Sequence, residues 1–364
     1  MFPVYKKLKT KEDIDLAWVN SSQHDVLIED QEKFFNIKAD HKFSKLDSKP
    51  ESRLAGLGAH ILNEATELFL KEKPDLIFVQ GDTLTTQYCA LAAFYLKIKI
   101  AHIEAGLRTT DITNPFPEEL SRRVISQIAD LNFAPELKAL ENLEMEKALY
   151  KKSSFNFYTG NTVIDTLSYC MQELDDGDLH EDLKGQKYIL LTCHRRENLD
   201  GAIGNLFNAC TRIAQNPSCK DIKLVFIRHK NPQAQKLYDE YQEFCKKEKL
   251  NQILFLDPVS YPKFLVLMKN SFFIVTDSGG VQEEAPYLQK PVLVFREQTE
   301  RLAGLDLGLA KLVGTKENLI HGEMLDLATN ETRFKKMVET GLQPYGDGLA
   351  ADRIVDSTIL YLKK

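Results

Sequence analysis

LIFVQGDTLTTQYCALAAFYLKIKIAHIEAG, residues 76–106, contains one complete strand–helix–strand passage. Leu76–Gln80 is a short apolar run, too short for a helix and bounded by Gly81. Asp82 and the hydroxyl residues after it open a helical stretch, and Ile98–Ile103 forms a second apolar run that ends at Glu104. The same alternation extends outward in both directions. Candidate strands fall at Ile14–Val19, Leu131–Ala134 and Phe155–Thr159, then at Tyr188–Cys193, Leu224–Ile227, Ile253–Leu256, Phe272–Thr276, Val292–Phe295 and Lys311–Val313. Amphipathic stretches such as Arg53–Phe69 and Asn231–Cys245 fill the intervals. Strand-then-helix repetition predicts an α/β fold of parallel sheets covered by helices on both faces.

A chain of 364 residues is long for one core and suits two domains of roughly 150–200 residues. The acidic stretch ELDDGDLHEDLKGQ, Glu173–Gln186, reads as the joint between them. The expected organisation is a first domain over 1–170, a linker over 171–186 and a second domain from 187. Both are doubly wound and Rossmann-like, with a ligand cleft beyond the C-terminal ends of the strands. The opening is unusual, because residues 3–9 already look helical and the first clear strand comes only at Ile14.

Composition narrows the function. The net charge of −6 has both signs interspersed, which argues against nucleic acid as a partner. No apolar run approaches the ~18 residues of a membrane span, and the amino terminus carries no apolar signal region. Six scattered cysteines without a CxxC pair suggest neither a disulfide framework nor a zinc site. No HExxH or paired carboxylate–histidine spacing supports a metal, and the absence of GxGxxG argues against a nicotinamide. These features predict a soluble cytoplasmic protein that uses no cofactor.

Three segments follow predicted strands, where sites of this architecture lie. VQGDTLTT, Val79–Thr86, presents Asp82, which alone reads equally as a helix N-cap. HIEAGLRTTDITNPFPEELSRR, His102–Arg123, presents Glu104 at a strand end and Glu118 in a helix first turn, where acidic residues also serve as ordinary dipole compensation. Asp82, Glu104 and Glu118 nevertheless converge on one domain edge. In the second domain, TDSGGVQEEAP, Thr276–Pro286, offers Ser278, Gly279 and Gly280 as backbone donors at a helix N-terminus suited to a diphosphate. The two glutamates that follow, Glu283 and Glu284, suit ribose hydroxyls, and Arg301 of FREQTER can counter phosphate charge. LTCHRREN adds His194, Arg195 and Arg196, either a solvated basic turn or cations facing the diphosphate. Tyr261 and Phe264 could stack a base or belong to the core. His229 reads equally as a loop histidine.

Together these segments resemble the bacterial non-hydrolysing UDP-N-acetylglucosamine 2-epimerases. QGDTLTT, HIEAGLRT, NPFPEELSRR, YTGNTVIDTL, TCHRREN, TDSGGVQEEAP, KPVLVFREQTER and KLVGT stand in the family's order over nearly the whole chain. The resemblance implies the GT-B fold, a C-terminal helix near Ala350–Leu362 that returns residues 346–364 to the first domain, and a second domain over 187–345. It also implies a homodimer acting on a UDP-sugar. By the same resemblance Asp82, Glu104 and Glu118 are acid/base carboxylates and His194 is an active-site residue. Ser278, Gly279, Gly280, Glu284 and Arg301 hold the nucleotide, with Phe264 at the uracil. Family members eliminate UDP across C1–C2, pass through 2-acetamidoglucal and re-add UDP. Which carboxylate serves which face of C2 is left open.

The chain departs from the family pattern in four places. Met1-Phe2-Pro3-Val4 aligns just after the family's first strand and its Gly-Thr-Arg-Pro-Glu-Ala loop, which predicts a first domain that is loosened or dimerised, and poor catalysis. Glu300-Arg301-Leu302-Ala303 replaces Glu-Arg-Pro-Glu, Val259 stands where a glutamine is common, and Gln23-His24-Asp25-Val26 replaces Gln-His-Arg-Glu. Competing readings are a hydrolysing relative that releases free N-acetylmannosamine, a GT-B glycosyltransferase, and a truncated, inactive UDP-sugar-binding paralogue.

Overall fold

Alternate residues of each strand belong to opposite faces of a sheet, and in this protein both sets are apolar. The structure is a computed structural model that describes residues 1–22, 32–46, 53–151, 153–173, 179–193, 195, 198, 201–229, 231–339 and 341–363. The segment Gln23–Val26 and His194 lie outside the described residues.

Two units compose the chain, Met1–Thr166 with Tyr345–Lys364, and Leu167–Pro344. In the first, strands β1 (Val19–Asn20) and β2 (His41–Lys42) form a small parallel pair. Strands β3 (Leu76–Gln80), β4 (Lys99–Ile103), β5 (Leu131–Ala134) and β6 (Phe155–Tyr158) form a parallel four-stranded sheet in that order. One face of this sheet carries Ile77 and Val79 of β3 and Ile100 of β4 into a core with Ile61, Ala65 and Phe69 of helix Arg53–Glu72 and Ile125 of helix Glu118–Ile128. The other buries Ala101, Ile103, Leu131 and Phe133 against Val4 and Leu8 of helix Phe2–Leu8 and Ile354 and Val355 of helix Ala350–Leu362. The early helical reading of residues 3–9 holds.

The expected strand Ile14–Val19 is found only at its last residue. Ile14 and Leu16 instead pack onto the core from an irregular segment, so their apolar character serves burial without a ladder partner. Strand β2 has no sequence signal of its own, being two polar residues paired with β1. Strand β3 is an edge strand of its sheet among the described residues.

The second unit holds six parallel strands: β7 (Lys187–Thr192), β8 (Ile222–Ile227), β9 (Ile253–Leu256), β10 (Phe273–Thr276), β11 (Val292–Val294) and β12 (Ala310–Leu312). Their order is β12-β11-β10-β7-β8-β9. Ile189, Leu191, Leu224, Phe226 and Val275 enter a core with helices Ala202–Ala214, Pro232–Lys247 and Glu317–Thr329. The alternate residues Leu190, Val225, Ile274 and Val292 are equally inaccessible. All six cysteines are free thiols, five of them buried. Among the described residues no helix is long and apolar enough to cross a membrane.

Candidate active site

Parallel pairing places the chain ends of β3 and β4 side by side, with Gln80 opposite Ile103. The segments that follow these two strands therefore emerge together. Gly81 turns with φ +74° and donates its N–H to Ile103 O at 3.0 Å. A Cβ there would lie 3.9 Å from Glu104 Oε2, so the turn that presents Asp82 sits against the Glu104 carboxylate. Glu104 itself has φ +62°, a left-handed conformation that costs a non-glycine residue roughly 1–3 kcal/mol and that clusters at functional sites. Its Oε2 accepts a long hydrogen bond from Gln80 Nε2 at 3.5 Å.

Helix Glu118–Ile128 brings the third carboxylate. Glu118 occupies its first turn, and Arg122 lies one turn further along the same face. Arg122 Nε donates to Asp82 Oδ2 at 2.8 Å and its Nη2 stands 2.7 Å from the same oxygen. One helical turn thus separates Glu118 from the arginine that holds Asp82, which brings Asp82, Glu104 and Glu118 to one corner of the first unit. Glu118 has no hydrogen-bond or ion-pair partner among the described residues, whereas the neighbouring Glu119 is fully buried. Glu119 accepts from Arg122 Nη1 at 3.0 Å, Arg123 Nε at 2.8 Å and Thr109 N at 3.1 Å. The PEE sequence is therefore divided, with one glutamate presented and the other structural. His102 completes the support. Burial lowers its pKa to about 4, so the ring is neutral, and Nε2 donates to Gly81 O at 2.8 Å, tying β4 to the Asp82 turn.

In the second unit the strand order reverses between β7 and β10, the switch point at which ligands bind in open α/β sheets. Thr192 and Thr276, register partners at the two strand ends, share a 2.6 Å hydroxyl hydrogen bond. The following loops are joined too. Asp277 accepts from Arg195 N at 3.0 Å and Asn198 Nδ2 at 2.8 Å. Ser278 caps helix Gly279–Tyr287 without a side-chain hydrogen bond, and Gly280 is exposed with nothing within 4 Å of a would-be Cβ. The Ser278 N–H, expected to face an anion, is instead taken by Thr276 Oγ1 at 3.0 Å because it closes the turn after β10. The N–H groups of Gly279 and Gly280 at the helix start remain suited to an anion.

Arg301 is nearly buried, with Nε on Glu283 Oε1 at 2.9 Å and Nη1 on Glu300. Its guanidinium lies against Gly279, where a Cβ would approach to 3.0 Å. Glu300 also pairs with Arg296 at 2.9 Å. Glu284 is 4 % exposed and accepts the Tyr261 hydroxyl at 2.5 Å. Burial raises its pKa to about 7, only partly offset by that hydrogen bond. Phe264 stands half-buried one turn along the helix that Tyr261 begins, Tyr261–Asn270. His229 accepts from Asn231 N at 3.1 Å within its own loop.

The arrangement comprises a carboxylate corner on one unit and an anion-suited helix start on the other. A family model described as UDP-N-acetylglucosamine 2-epimerase matches residues 6–359. The chain belongs to the UDP-N-acetylglucosamine 2-epimerase family. A Bacillus subtilis member of that name is 39% identical over 361 residues, covering 99% of this chain and 92% of the relative. Among solved structures, the Neisseria meningitidis UDP-GlcNAc 2-epimerase bound to UDP-GlcNAc superposes with a TM-score of 0.90 at 33% identity, covering 99% of this chain and 96% of that one. The S. aureus MnaA–UDP co-structure gives 0.88 at 35%, with 100% and 93% covered. Each of the two units is Rossmann-like, in keeping with the GT-B fold class of these epimerases.

Sequence reading missed Arg122, Glu119 and His102. Spacing could have found Arg122, since it is i+4 from Glu118 on a helix whose start was recognised. Nothing in the sequence distinguishes Glu119 from Glu118.

Proposed function

We propose that the protein interconverts UDP-N-acetylglucosamine and UDP-N-acetylmannosamine. The observation that carries this reading is the convergence of Asp82, Glu104 and Glu118 at the paired ends of β3 and β4 and the adjoining helix start. The C2 hydrogen of the sugar is not alpha to a carbonyl, so direct proton exchange is slow. A carboxylate base removes that proton while the C1–O bond breaks toward UDP, giving 2-acetamidoglucal. Another carboxylate then protonates C2 from the opposite face as a UDP oxygen re-forms the bond to C1. Atoms balance without an oxidant. Departing UDP gains negative charge, which the Ser278 hydroxyl, the N–H groups of Gly279 and Gly280 and the positive end of their helix stabilise.

Each end of the substrate is assigned to one unit. The nucleotide goes to the second, with Arg301 behind Gly279, Glu284 toward the ribose and Phe264 toward the uracil. The amino sugar goes to the first. His194 is assigned to the same nucleotide site as an active-site residue, on its place in TCHRREN. We place the enzyme in the cytoplasm as a homodimer supplying polysaccharide biosynthesis. The exposed apolar side chains Met145, Leu149 and Tyr150 on helix Leu137–Tyr150 support a partner surface.

Incubation with UDP-N-acetylglucosamine in deuterium oxide, without added metal or nicotinamide, is expected to yield both epimers carrying deuterium at C2. Stoichiometric release of free N-acetylmannosamine would instead assign the hydrolysing reaction. Complete absence of turnover with UDP still binding would favour the inactive UDP-sugar-binding reading.

A further inference from the structure

We infer that Arg122 is a positioning residue that fixes Asp82 for the proposed proton transfer, a conclusion that rests on the epimerase reading above. Asp82 begins a surface turn, and its side chain retains 25% of its accessibility. A carboxylate on such a turn would sample several rotamers if nothing held it. Arg122 removes that freedom. Nε and Nη2 both lie within 2.8 Å of one carboxylate oxygen, leaving Oδ1 outside this fork.

The arginine is itself immobilised. Its side chain is 3% exposed, and Nη1 is bound to Glu119, both of whose carboxylate oxygens are occupied. Arg123 holds one of these oxygens and Thr109 N shares the other. The chain of contacts runs from backbone through Glu119 and Arg122 to Asp82, with planar, bidentate geometry that only a guanidinium provides. A salt bridge serving stability alone would not need one end left accessible beside Glu104 and one turn from Glu118. Taking these charges out of water is costly, and the cost is offset because each is held from several sides.

The test uses the full chain and four variants: Asp82→Asn, Arg122→Ala, Arg122→Lys and the double variant Asp82→Asn/Arg122→Ala. Arg122→Ala is expected to lower kcat by roughly 10²-fold, the cost of a misplaced reacting group, with UDP affinity by calorimetry unchanged. Arg122→Lys keeps the charge but cannot fork between Asp82 and Glu119. It should retain the melting temperature and still lose most turnover. Added guanidinium should restore part of the activity of Arg122→Ala and none of Arg122→Lys. If Arg122 acts through Asp82, removing it from Asp82→Asn costs nothing further. Fully additive losses in the double variant, or normal turnover in Arg122→Lys, would overturn the inference. Normal turnover in Asp82→Asn would instead overturn the assignment of Asp82 in the proposed function, so the two failures read differently. Should Arg122→Ala fail to fold, Arg122→Lys and its combination with Asp82→Asn carry the same decision.

Discussion

Glu284 shows how a single residue's chemistry is decided by its surroundings. In sequence it is the second of two glutamates after a Gly-Gly pair, and nothing separates it from Glu283. In the fold Glu283 pairs with Arg301, whereas Glu284 has the Tyr261 hydroxyl and, among the described residues, no cation paired with it, and burial raises its pKa to about 7 from 4.5. The raised folded value fixes the sign of its linkage. Its contribution to stability is fully present below pH 4.5 and is lost as pH rises through about 7. Glu284→Gln should therefore abolish a loss of up to roughly 3 kcal/mol between those limits, seen as a flatter denaturation midpoint against pH. A variant that keeps the wild-type slope would mean that Glu284 is ionised in the fold throughout. The neighbouring tyrosine is read differently as well. A residue that in sequence could stack a base or fill the core is here the hydrogen-bond donor to a buried carboxylate.

At the scale of the element, the loops after strands carry the proposed site residues and their glycines set the tolerances. Gly106 has φ +90°, and a Cβ there would sit 2.3 Å from the backbone oxygen of Ala139 and 2.8 Å from Leu143. The Glu104 loop is therefore pressed onto helix Leu137–Tyr150, where Asn142 Nδ2 also donates to Gly106 O at 3.0 Å. Gly106→Ala combines a disfavoured φ with a clash against backbone, and should cost roughly 2–5 kcal/mol in thermal or denaturant unfolding. Gly280→Ala is the matched control, since open space surrounds that position. It should leave stability unchanged or slightly raised by helix propensity. A neutral Gly106→Ala would show that the loop can lift from the helix, and with it Glu104.

For the whole molecule, the C-terminal residues Tyr345–Lys364 are part of the first unit although they follow the second in sequence. Asp165 accepts the N–H groups of Ala350 and Ala351 at 3.2 and 2.8 Å, which caps helix Ala350–Leu362 where it joins that unit. Ile354, fully inaccessible, fills the face of the sheet formed by β4 and β5. Ile354→Ala should cost roughly 2–5 kcal/mol. Hydrogen exchange should locate the loss in β4, β5 and helix Phe2–Leu8, with β7 and β8 retaining their protection in a separate core. Equal loosening of β7 and β8 would show that the two cores do not open separately.

Alternation of apolar runs with amphipathic stretches determined the α/β class, the two-unit plan and nearly every strand of the two main sheets, because burial on both faces leaves a continuous apolar signal. Short motifs at strand ends pointed to Asp82, Glu104, Glu118 and the Ser278–Gly280 helix start as candidates, because parallel sheets place their functional loops there. Strand β1 was misplaced and β2 unseen, since two-residue ladders leave no periodic trace. The division of labour between Glu118 and Glu119, the fork of Arg122 on Asp82 and the neutral state of His102 came only from the tertiary structure. Each depends on which neighbours from distant segments, 40 residues away for Arg122 and Asp82, surround a side chain once water has been excluded.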